Sequence, residues 1–392
     1  MAHYRYLVIG GGMTADAAIN GIREVDADGP IGMVGREPHP AYNRPPLSKK
    51  LWQKKPLESI WREGETRGVD YWYSREIVSL DPAERRVADG QGDEHTYERL
   101  LLATGGTPRR LPFGEDRIIY FRTLDDYRRL RAQTETGERF AVIGGGFIGS
   151  EIAAALAMNG KETIMLFPEE GIGDRVFPRD ISRFLNDYYR QKGVVVLTGE
   201  AVTGLETRGE RLAVKTAGGR DIPVDGIVAG IGIEPEVTLA RQAKLAVGNG
   251  IVVDELLRTS DPNIFAAGDV AEFFNPSLGR RVRFEHEDNA NTMGKAAGRN
   301  MAGADEPYHH LPFFYSDLFE LGYEAVGMLD GRLDTVADWQ EPYHKGVVYY
   351  LQENRVQGVL LWNVWDQVDN ARRLIAEQGP FSPRMLQGRL PR

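Results

Sequence analysis

A chain of 392 residues is too long for one ordinary hydrophobic core and favours two or three domains. Its 42% hydrophobic and 27% charged residues are typical of a soluble globular protein, and no apolar run approaches the roughly 18 residues that span a bilayer. The absence of cysteine excludes disulfides, thiolate metal sites and cysteine-ligated iron–sulfur clusters, and the formal net charge of −9 argues against general nucleic-acid binding. Any redox chemistry would therefore need a bound cofactor.

The chain enters a strand and a glycine loop almost at once, which leaves no room for a signal peptide and favours a cytoplasmic location. Tyr4–Ile9 is a short apolar run typical of a buried strand. Gly10, Gly12 and Ala15 follow it in G-x-G-x-x-A register, and a helix is predicted over Ala15–Ile22. This strand, glycine turn and helix predict a first dinucleotide-binding unit.

A second strand is predicted at Ile31–Val34, and an acid close to its end would bind a ribose hydroxyl. Glu37 could serve, although Arg36 beside it makes that contact less certain. In residues 42–51, two prolines stiffen the backbone and Ser48 could cap a helix. The simpler interpretation of this segment is a rigid loop with surface lysines.

A third apolar strand, Leu100–Ala103, leads into Thr104 and Gly105, where the backbone can approach a ligand closely. A similar pattern recurs at 222–236, with a polar lead-in, an apolar strand and a glycine-bearing exit at Gly232. The repetition indicates an internal duplication, in which each copy would hold one dinucleotide.

The stretch Arg139–Leu156 begins the second copy, because an apolar strand stops at three glycines and restarts as a helix. Gly144, Gly146 and Gly149 stand in G-x-G-x-x-G register. Their absent side chains would permit the turn, the approach of a pyrophosphate and the close packing of helix on strand. Glu151 is expected in the first helical turn.

The strand Thr163–Phe167 follows, and Glu169 stands 20 residues after Gly149. A carboxylate at this place would bind the ribose of an adenosine and repel a 2′-phosphate, which favours NAD over NADP. Arg175 tempers this prediction, because a nearby arginine could reach a phosphate.

Further elements are predicted along the rest of the second copy. They include a helix over Arg179–Lys192 and a short strand at Arg211–Thr216. The apolar strand within Thr259–Asp269 then delivers Gly268 and Asp269 to a helix start. The Asp269 carboxylate could bind a ribityl or ribose hydroxyl, or it could only cap that helix.

Beyond about residue 310 the chain becomes rich in aromatic residues. Alternating runs such as residues 346–351 predict an antiparallel sheet in a third domain. A helix is predicted over Asp369–Gln378, and the proline- and arginine-containing tail after it is expected to be loose.

Motifs spread from Leu7 to about Gly327 resemble those of the two-dinucleotide-fold FAD/NAD(P)H oxidoreductases. The resemblance is to the ferredoxin/rubredoxin reductase branch and, most closely, to apoptosis-inducing-factor-like oxidoreductases. The motifs are LVIGGG, YNRPPLSKKLW, LLATGGTPR, VIGGGFIGSEIAAAL, LFPEEG, GIGIEPE, IFAAGDV, FEHEDNA and FYSDLFELGYEAVG.

This resemblance implies an α/β fold with two Rossmann-like dinucleotide-binding domains, in a glutathione-reductase-like architecture, plus a C-terminal α+β domain with an antiparallel sheet. Residues 1–112 and 243–310 would form the FAD-binding domain, 113–242 the NAD(H)-binding domain, and 311–392 an interface domain. Hydride would pass from the nicotinamide C4 to the flavin N5, with the protein supplying orientation and electrostatics.

The resemblance also assigns roles to individual residues. Lys49 and Glu151 match a pair beside the reactive edge of the flavin, where a lysine stabilises the anionic reduced flavin and a carboxylate holds the lysine. A solvated lysine and a helix-dipole carboxylate are the alternatives. Tyr315 matches a position that is usually tryptophan in the apoptosis-inducing-factor pattern, so its stacking would be weaker, and both it and His286 could instead be ordinary core residues.

Spacing and resemblance together give two sets of cofactor-binding candidates. For FAD they are Gly10, Gly12, Ala15, Glu37, Arg44, Lys49, Val78, Thr104, Gly105, Arg122, Gly268, Asp269, Glu285, His286 and Tyr315. For NAD(H) they are Gly144, Gly146, Phe147, Ile148, Gly149, Glu151, Glu169, Arg175, Gly232 and Glu324.

The implied function is an FAD-dependent NADH:acceptor oxidoreductase that passes electrons to a ferredoxin, a rubredoxin or a small acceptor such as a quinone or oxygen. The missing cysteines exclude the disulfide-reductase branch. The alternative is a redox-sensing flavoprotein, in which a long-lived reduced-FAD/NAD charge-transfer complex controls dimerisation or partner binding. A third possibility is a structural FAD-binding protein.

An iron–sulfur protein partner would need an electropositive patch on this chain. Arg280–Arg283 is the candidate, and further basic clusters stand at Arg109–Arg110 and Arg128–Arg131. The expected assembly is a monomer or a homodimer, with no nucleic-acid partner and no transmembrane segment.

Overall fold

The computed structural model describes residues 2–62, 68–209 and 211–391, and the chain forms two compact units. Unit 1 consists of Met1–Asn43, Leu57–Thr107 and Glu234–Phe313, and unit 2 consists of Arg44–Pro56, Pro108–Ile233 and Phe314–Arg392. The division into three domains that the resemblance implies stays a prediction.

Strands and helices alternate through most of both units. The strands are β1 Ala2–Ile9, β2 Ile31–Val34, β3 Val69–Trp72, β4 Ile77–Asp81, β5 Arg86–Asp89, β6 Glu94–Leu102, β7 Gly106–Pro108, β8 Ile118–Tyr120, β9 Arg139–Ile143, β10 Glu162–Phe167, β11 Val195–Thr198, β12 Val202–Arg208, β13 Arg211–Thr216, β14 Asp221–Val224, β15 Gly226–Ala229, β16 Ile233–Pro235, β17 Ile251–Val252, β18 Ile264–Ala266, β19 Ala271–Asn275, β20 Arg280–Val282, β21 Phe313–Leu318, β22 Leu321–Gly327, β23 Asp334–Glu341, β24 Lys345–Gln352 and β25 Arg355–Trp362. The α-helices are α1 Met13–Val25, α2 Leu124–Thr136, α3 Phe147–Met158, α4 Arg179–Gln191, α5 Thr238–Gln242, α6 Glu287–Met301, α7 Val368–Ala376 and α8 Pro383–Leu386. Short 3-10 turns cover Pro45–Ser48, Lys50–Gln53, Leu57–Ile60, Glu115–Arg117 and Gly268–Val270.

The main sheet of unit 1 has the order β3-β2-β1-β6, and β18 pairs with the outer side of β6. These five strands run parallel, with Leu7 of β1 opposite Gly32 of β2 and Leu100 of β6. Parallel strands covered by helices on both faces are buried on both sides, which explains the continuous apolar run that predicted β1. The antiparallel strands β4 and β5 extend the sheet through the first half of β6.

Two helices of unit 1 pack backbone to backbone beside this sheet. A Cβ at Gly21 of α1 would lie 2.2 Å from the carbonyl oxygen of Lys295, and one at Gly298 of α6 would lie 2.0 Å from that of Ala18. Any side chain at either position would therefore force α1 and α6 apart.

The main sheet of unit 2 repeats this arrangement with the parallel order β11-β10-β9-β15-β8. The strand β9 takes the central place of β1, and both strands lead through a glycine turn into a helix. The antiparallel sheet β12-β13-β14 contributes Leu212, Val214 and Val224 to the same core. The common strand order supports the internal duplication that the sequence predicts.

The C-terminal part of unit 2 forms an antiparallel sheet of order β21-β22-β25-β24-β23, which confirms the prediction for this region. Its core is aromatic, and the rings of Tyr323 and Trp362 stack with centroids 5.6 Å apart. The two dinucleotide-fold units and this antiparallel sheet give the mixed α/β fold that was expected.

The prediction of a loose tail is wrong. The side chains of Leu386 and Leu390 are 0% and 4% exposed. The backbone amide of Gly388 donates to the Asp338 carboxylate at 2.7 Å, and that of Leu390 donates to the Tyr349 hydroxyl at 3.3 Å. Two widely spaced leucines give too weak a pattern to predict burial, although they anchor the segment. Within the described residues, no helix is long and apolar enough to cross a membrane.

Candidate functional site

The glycine turn of unit 1 joins β1 to α1. Gly10 has φ of +127°, and a Cβ there would lie 2.2 Å from the carbonyl oxygen of Ala103, so this position requires glycine. Gly12 is the N-cap of α1 and has no side chain to cap the helix, while Ala15 is buried in the first turns. An N-terminus of this kind presents backbone N–H groups and a positive dipole end, which suits a pyrophosphate. The turn therefore fits a dinucleotide.

Three predicted FAD segments meet at one edge of the unit 1 sheet, because β1, β6 and β18 are parallel neighbours. Gly10 follows β1, Thr104 and Gly105 follow β6, and Gly268 and Asp269 follow β18. Ligands of open α/β sheets bind at such carboxyl ends. The helix expected after Asp269 is only a single 3-10 turn, since β19 begins two residues later.

Several of the other FAD candidates in unit 1 have protein partners. The Tyr42 hydroxyl donates to the Glu37 carboxylate at 2.5 Å, and the Thr104 hydroxyl donates to the Glu236 carbonyl at 2.7 Å. Val78, on β4, is 49% exposed. The structure therefore places Glu37 and Thr104 in defined hydrogen bonds and leaves Val78 open to solvent.

Glu285 and His286 lie directly before α6, and His286 is the N-cap residue of that helix. Burial lowers the pKa of His286 to about 4, so the ring is neutral at pH 7. The Glu285 carboxylate forms an ion pair with Arg283 at 2.7 Å. A neutral imidazole can donate or accept a hydrogen bond without adding charge to the site.

The glycine turn of unit 2 repeats the first, and two of its three glycines are required by contacts within the protein. Gly144 has φ of +111°, and a Cβ there would lie 2.4 Å from the carbonyl oxygen of Gly230. A Cβ at Gly149 would lie 2.0 Å from the carbonyl oxygen of Gly144, so helix and turn could not pack. A Cβ at Gly146 would meet nothing within 4 Å. The protein therefore does not require glycine at Gly146, which is the position that admits the pyrophosphate in a dinucleotide turn.

The helix α3 that follows this turn begins at Phe147 and contains Ile148. The Phe147 ring lies 5.1 Å from that of Phe314. Glu151 is therefore the fifth helical residue and lies in the second turn, so its predicted place in the first turn is wrong. The helix begins directly after the second glycine, and within this helix the first turn holds no acidic residue.

The predicted ribose acid, Glu169, follows β10 and forms an ion pair with Arg175, with 2.8 Å between Oε1 and Nη2. The Glu169 side chain is 25% exposed and that of Arg175 is 83% exposed. Glu169, which favours NAD, and Arg175, which could favour NADP, thus lie in contact.

Replacing Glu169 with alanine should move the ratio of kcat/KM values towards NADPH by about 10- to 100-fold. The ribose would lose a charged hydrogen bond, worth about 1.5–3 kcal/mol, and Arg175 would be released to meet a 2′-phosphate. Steady-state kinetics with both coenzymes measure the ratio. Glu170→Ala is the matched control, because Glu170 pairs with Arg179 and should leave the ratio unchanged. An unchanged ratio in Glu169→Ala would contradict the ribose assignment.

Two further NAD(H) candidates also lie in unit 2. Gly232 has φ of +92° and lies beside the Arg109 side chain. Glu324 is on β22, where burial and the negative charge of Asp366 raise the pKa of its carboxyl. Its Oε2 has no hydrogen-bond partner among the residues that the structure describes. This carboxylate therefore has capacity for an additional hydrogen bond.

Lys49 and Glu151 form a buried ion pair in unit 2, with 2.9 Å between Nζ and Oε1 and side chains 8% and 4% exposed. The interpretation of Lys49 as a surface lysine is therefore wrong. The Lys49 Nζ also lies 4.9 Å from the centroid of the Tyr315 ring, within the range of a cation–π interaction. The structure thus brings together three predicted residues that are far apart in sequence.

The segment that carries Lys49 differs from its sequence prediction at Ser48. This residue ends the 3-10 turn Pro45–Ser48 and does not cap a helix; its hydroxyl donates to the Glu151 carboxylate at 2.5 Å. Ser316 was not predicted, and its hydroxyl donates to the same carboxylate at 2.6 Å. In the same unit, Arg44 donates to the carbonyl oxygen of Arg122 at 3.0 Å.

The basic clusters are partly engaged within the protein. Arg131 packs over the Trp52 ring, with 4.9 Å to the centroid, and Arg110 lies 5.0 Å from the centroid of Tyr120. In the Arg280–Arg283 segment, Arg281 donates to the carbonyl oxygen of Val253 at 3.0 Å. A docking role for this segment stays a prediction.

Two family models match the chain. The model described as pyridine nucleotide-disulphide oxidoreductase matches residues 4–294, and the model for the C-terminal part of mitochondrion-associated apoptosis-inducing factor matches 297–342 and 337–377.

Several relatives match this chain over almost its whole length. A ferredoxin–NAD(+) reductase component of the anthranilate 1,2-dioxygenase system of Burkholderia cepacia is 33% identical, over 97% of this chain and 96% of that protein. The mitochondrial apoptosis-inducing factor 1 of Dictyostelium discoideum is 32% identical, over 96% of this chain and 79% of that protein. The solved structure of a covalent putidaredoxin reductase–putidaredoxin complex superposes with a TM-score of 0.91 at 31% identity, over 98% of this chain and 96% of that chain.

The duplicated glycine turns and the repeated parallel sheets agree with these matches, which extend from β1 into the antiparallel sheet. The chain therefore belongs to the pyridine nucleotide-disulphide oxidoreductase family, as an FAD- and NAD(H)-dependent oxidoreductase.

Proposed function

We propose that the chain passes electrons from NADH to a small iron–sulfur protein of the ferredoxin class. The observation that carries this proposal is a duplicated glycine turn in a chain without cysteine. Electrons can then pass between two bound dinucleotides, but the protein has no dithiol of its own to receive them, so an external acceptor is required. The Burkholderia relative and the putidaredoxin complex carry acceptors of this class in their names.

The residue roles in this proposal rest on the resemblance and are supported by the geometry within each unit. The turn at Gly10 and Gly12 would hold the pyrophosphate of FAD, and the turn at Gly144 and Gly146 that of NADH. Bound FAD supplies a two-electron acceptor that can release electrons singly or in pairs. Lys49 would place a positive charge where negative charge develops during reduction.

The remaining assignments belong to the same proposal. Glu169 would bind the adenosine ribose, and Gly232 and Glu324 would lie on the nicotinamide side. The FAD-binding domain would be 1–112 with 243–310, the NAD(H)-binding domain 113–242 and the interface domain 311–392, with Rossmann-like topology in the first two. The protein would work in the cytoplasm.

The proposal is tested by reducing the FAD-loaded protein with one equivalent of NADH and mixing it with acceptors in a stopped-flow instrument. A [2Fe–2S] ferredoxin and a rubredoxin are compared with a quinone and with oxygen. We expect reoxidation by at least one iron–sulfur protein within seconds, and we expect the rate to fall as ionic strength screens the docking charges. The same ferredoxin stripped of its cluster is the control and should give no reoxidation.

One observation favours a second candidate, the redox-sensing flavoprotein. The C-terminal part of the chain matches the apoptosis-inducing-factor model over residues 297–377. In that case the protein would stay reduced for many minutes after mixing with every acceptor, and its oligomeric state would change on reduction. Slow reoxidation with both iron–sulfur proteins would therefore overturn the reductase proposal.

A further inference from the structure

Glu151 is a carboxylate that α3 holds in the interior of unit 2, where the residue is 5% exposed. A charged group in such a place is destabilising unless its oxygens receive hydrogen bonds or a counter-ion. Three side chains provide them, and these come from two other segments of the unit, residues 44–56 and β21.

The three bonds are divided between the two oxygens. Ser48 donates to Oε2 at 2.5 Å, Ser316 donates to Oε1 at 2.6 Å, and Lys49 Nζ lies 2.9 Å from Oε1. Because each oxygen has a hydroxyl donor, rotation of the carboxylate about its last torsion would break a bond at both ends. That torsion is otherwise soft in glutamate.

Both serines are themselves held in place, since Ser48 is 4% and Ser316 is 1% exposed. Burial raises the pKa of the nearby Tyr323 phenol well above its ordinary value, so this group is neutral and adds no second negative charge near Glu151.

The fixed carboxylate in turn defines the position of the Lys49 ammonium. Nζ lies between Oε1 of Glu151 and the face of Tyr315, 4.9 Å from the ring centroid. A lysine on a four-carbon stem has many rotamers, and the position of its charge depends on the groups that hold it.

We propose that Ser48 and Ser316 are positioning residues that orient the Glu151 carboxylate and, through it, set the place of the Lys49 charge. This inference rests on the proposed function, because it takes Lys49 as the cation that stabilises the reduced cofactor. Removal of either hydroxyl leaves the ion pair chemically intact but lets the carboxylate turn, so the charge is less well placed.

The test measures the two-electron midpoint potential of the FAD-loaded protein by spectroelectrochemistry in Ser48→Ala, Ser316→Ala and the double variant. We expect each single substitution to make reduction about tenfold less favourable, which corresponds to a fall of about 30 mV for a two-electron couple. The kcat for NADH oxidation with ferricyanide should fall in parallel, while the KM for NADH stays within about twofold. Ser316→Thr, which keeps the hydroxyl, should restore most of the potential.

Two further variants keep the outcome interpretable. Ser182→Ala is the matched control, because Ser182 is a buried serine of α4 whose hydroxyl has no hydrogen-bond partner among the described residues. Lys49→Met is the reference for complete loss of the charge.

Wild-type potentials in both serine variants, together with a shifted potential in Lys49→Met, would overturn the inference and leave the proposed function standing. A wild-type potential in Lys49→Met would also overturn the inference, because Lys49 would then not be the cation that stabilises the reduced cofactor. The potentials of the serine variants and of Lys49→Met do not depend on the acceptor protein. Failure to reduce ferredoxin would contradict the proposed function alone, and it is detected in the stopped-flow experiment.

Discussion

Lys49→Met should slow the reduction of the FAD-loaded protein by NADH about 100-fold or more. The substitution removes a buried positive charge that would stabilise the negative charge developing in the transition state, and loss of one such group costs about 2.7–4 kcal/mol. The same change should lower the free energy of unfolding by about 3 kcal/mol, since Glu151 would remain buried without its counter-ion. Stopped-flow absorbance and chemical denaturation measure the two effects, with FAD content checked in each sample.

The double variant Lys49→Met/Glu151→Gln separates the effect on the reduction rate from the effect on the free energy of unfolding. Without the unpaired charge, the free energy of unfolding should return to within about 1 kcal/mol of wild type, because the glutamine oxygen can still accept a serine hydrogen bond. The slow reduction should persist. A wild-type reduction rate in Lys49→Met would show that the buried pair serves stability only.

Gly146→Ala should weaken coenzyme binding and Gly149→Ala should lower stability, although the two positions lie only three residues apart. An added Cβ at Gly146 meets nothing within 4 Å, so the thermal midpoint should not change, but NADH should bind about 10- to 100-fold more weakly if the pyrophosphate occupies that space. An added Cβ at Gly149 lies 2.0 Å from the carbonyl oxygen of Gly144. Gly149→Ala should therefore lower the free energy of unfolding by about 1–3 kcal/mol or more, as overpacking does at other sites.

Differential scanning fluorimetry gives the thermal midpoints, and a titration of the oxidised protein with NAD gives the dissociation constants. FAD content serves as the internal control, because the first glycine turn is unaltered in both variants. Wild-type coenzyme affinity in Gly146→Ala would show that this turn does not bind the pyrophosphate of NADH. An unchanged thermal midpoint in Gly149→Ala would contradict the packing of α3 on its turn.

The features that could be predicted from sequence are those with short-range causes. The turns at Gly10 and Gly144 follow apolar strands and precede helices, and each needs glycine because of a backbone carbonyl a few ångströms away. Strands such as Ile31–Val34 and Arg211–Thr216 were predicted with the bounds that the structure gives them, since buried and alternating runs are local patterns.

The features that escaped prediction depend on contacts between distant segments. Ser48 has the local sequence of a cap, but its hydroxyl bonds Glu151, 103 residues away, and Ser316 lies 165 residues from the same carboxylate. The Lys49–Glu151 pair was reached only through the resemblance to a known family, because neither residue stands out by spacing. Burial of Leu386 likewise depends on the antiparallel sheet and not on its neighbours in sequence.

The chain leaves unit 1 at Asn43 and returns to it at Leu57, so the excursion 44–56 folds with unit 2. This connectivity constrains the construction of chimaeric reductases. Exchange of 108–233 for the equivalent part of a relative would import a new residue at the position of Glu151 but retain the native Lys49 and Ser48. A working graft must therefore include 44–56 and 314–392 as well, so that the acid, the lysine and both serines come from one parent.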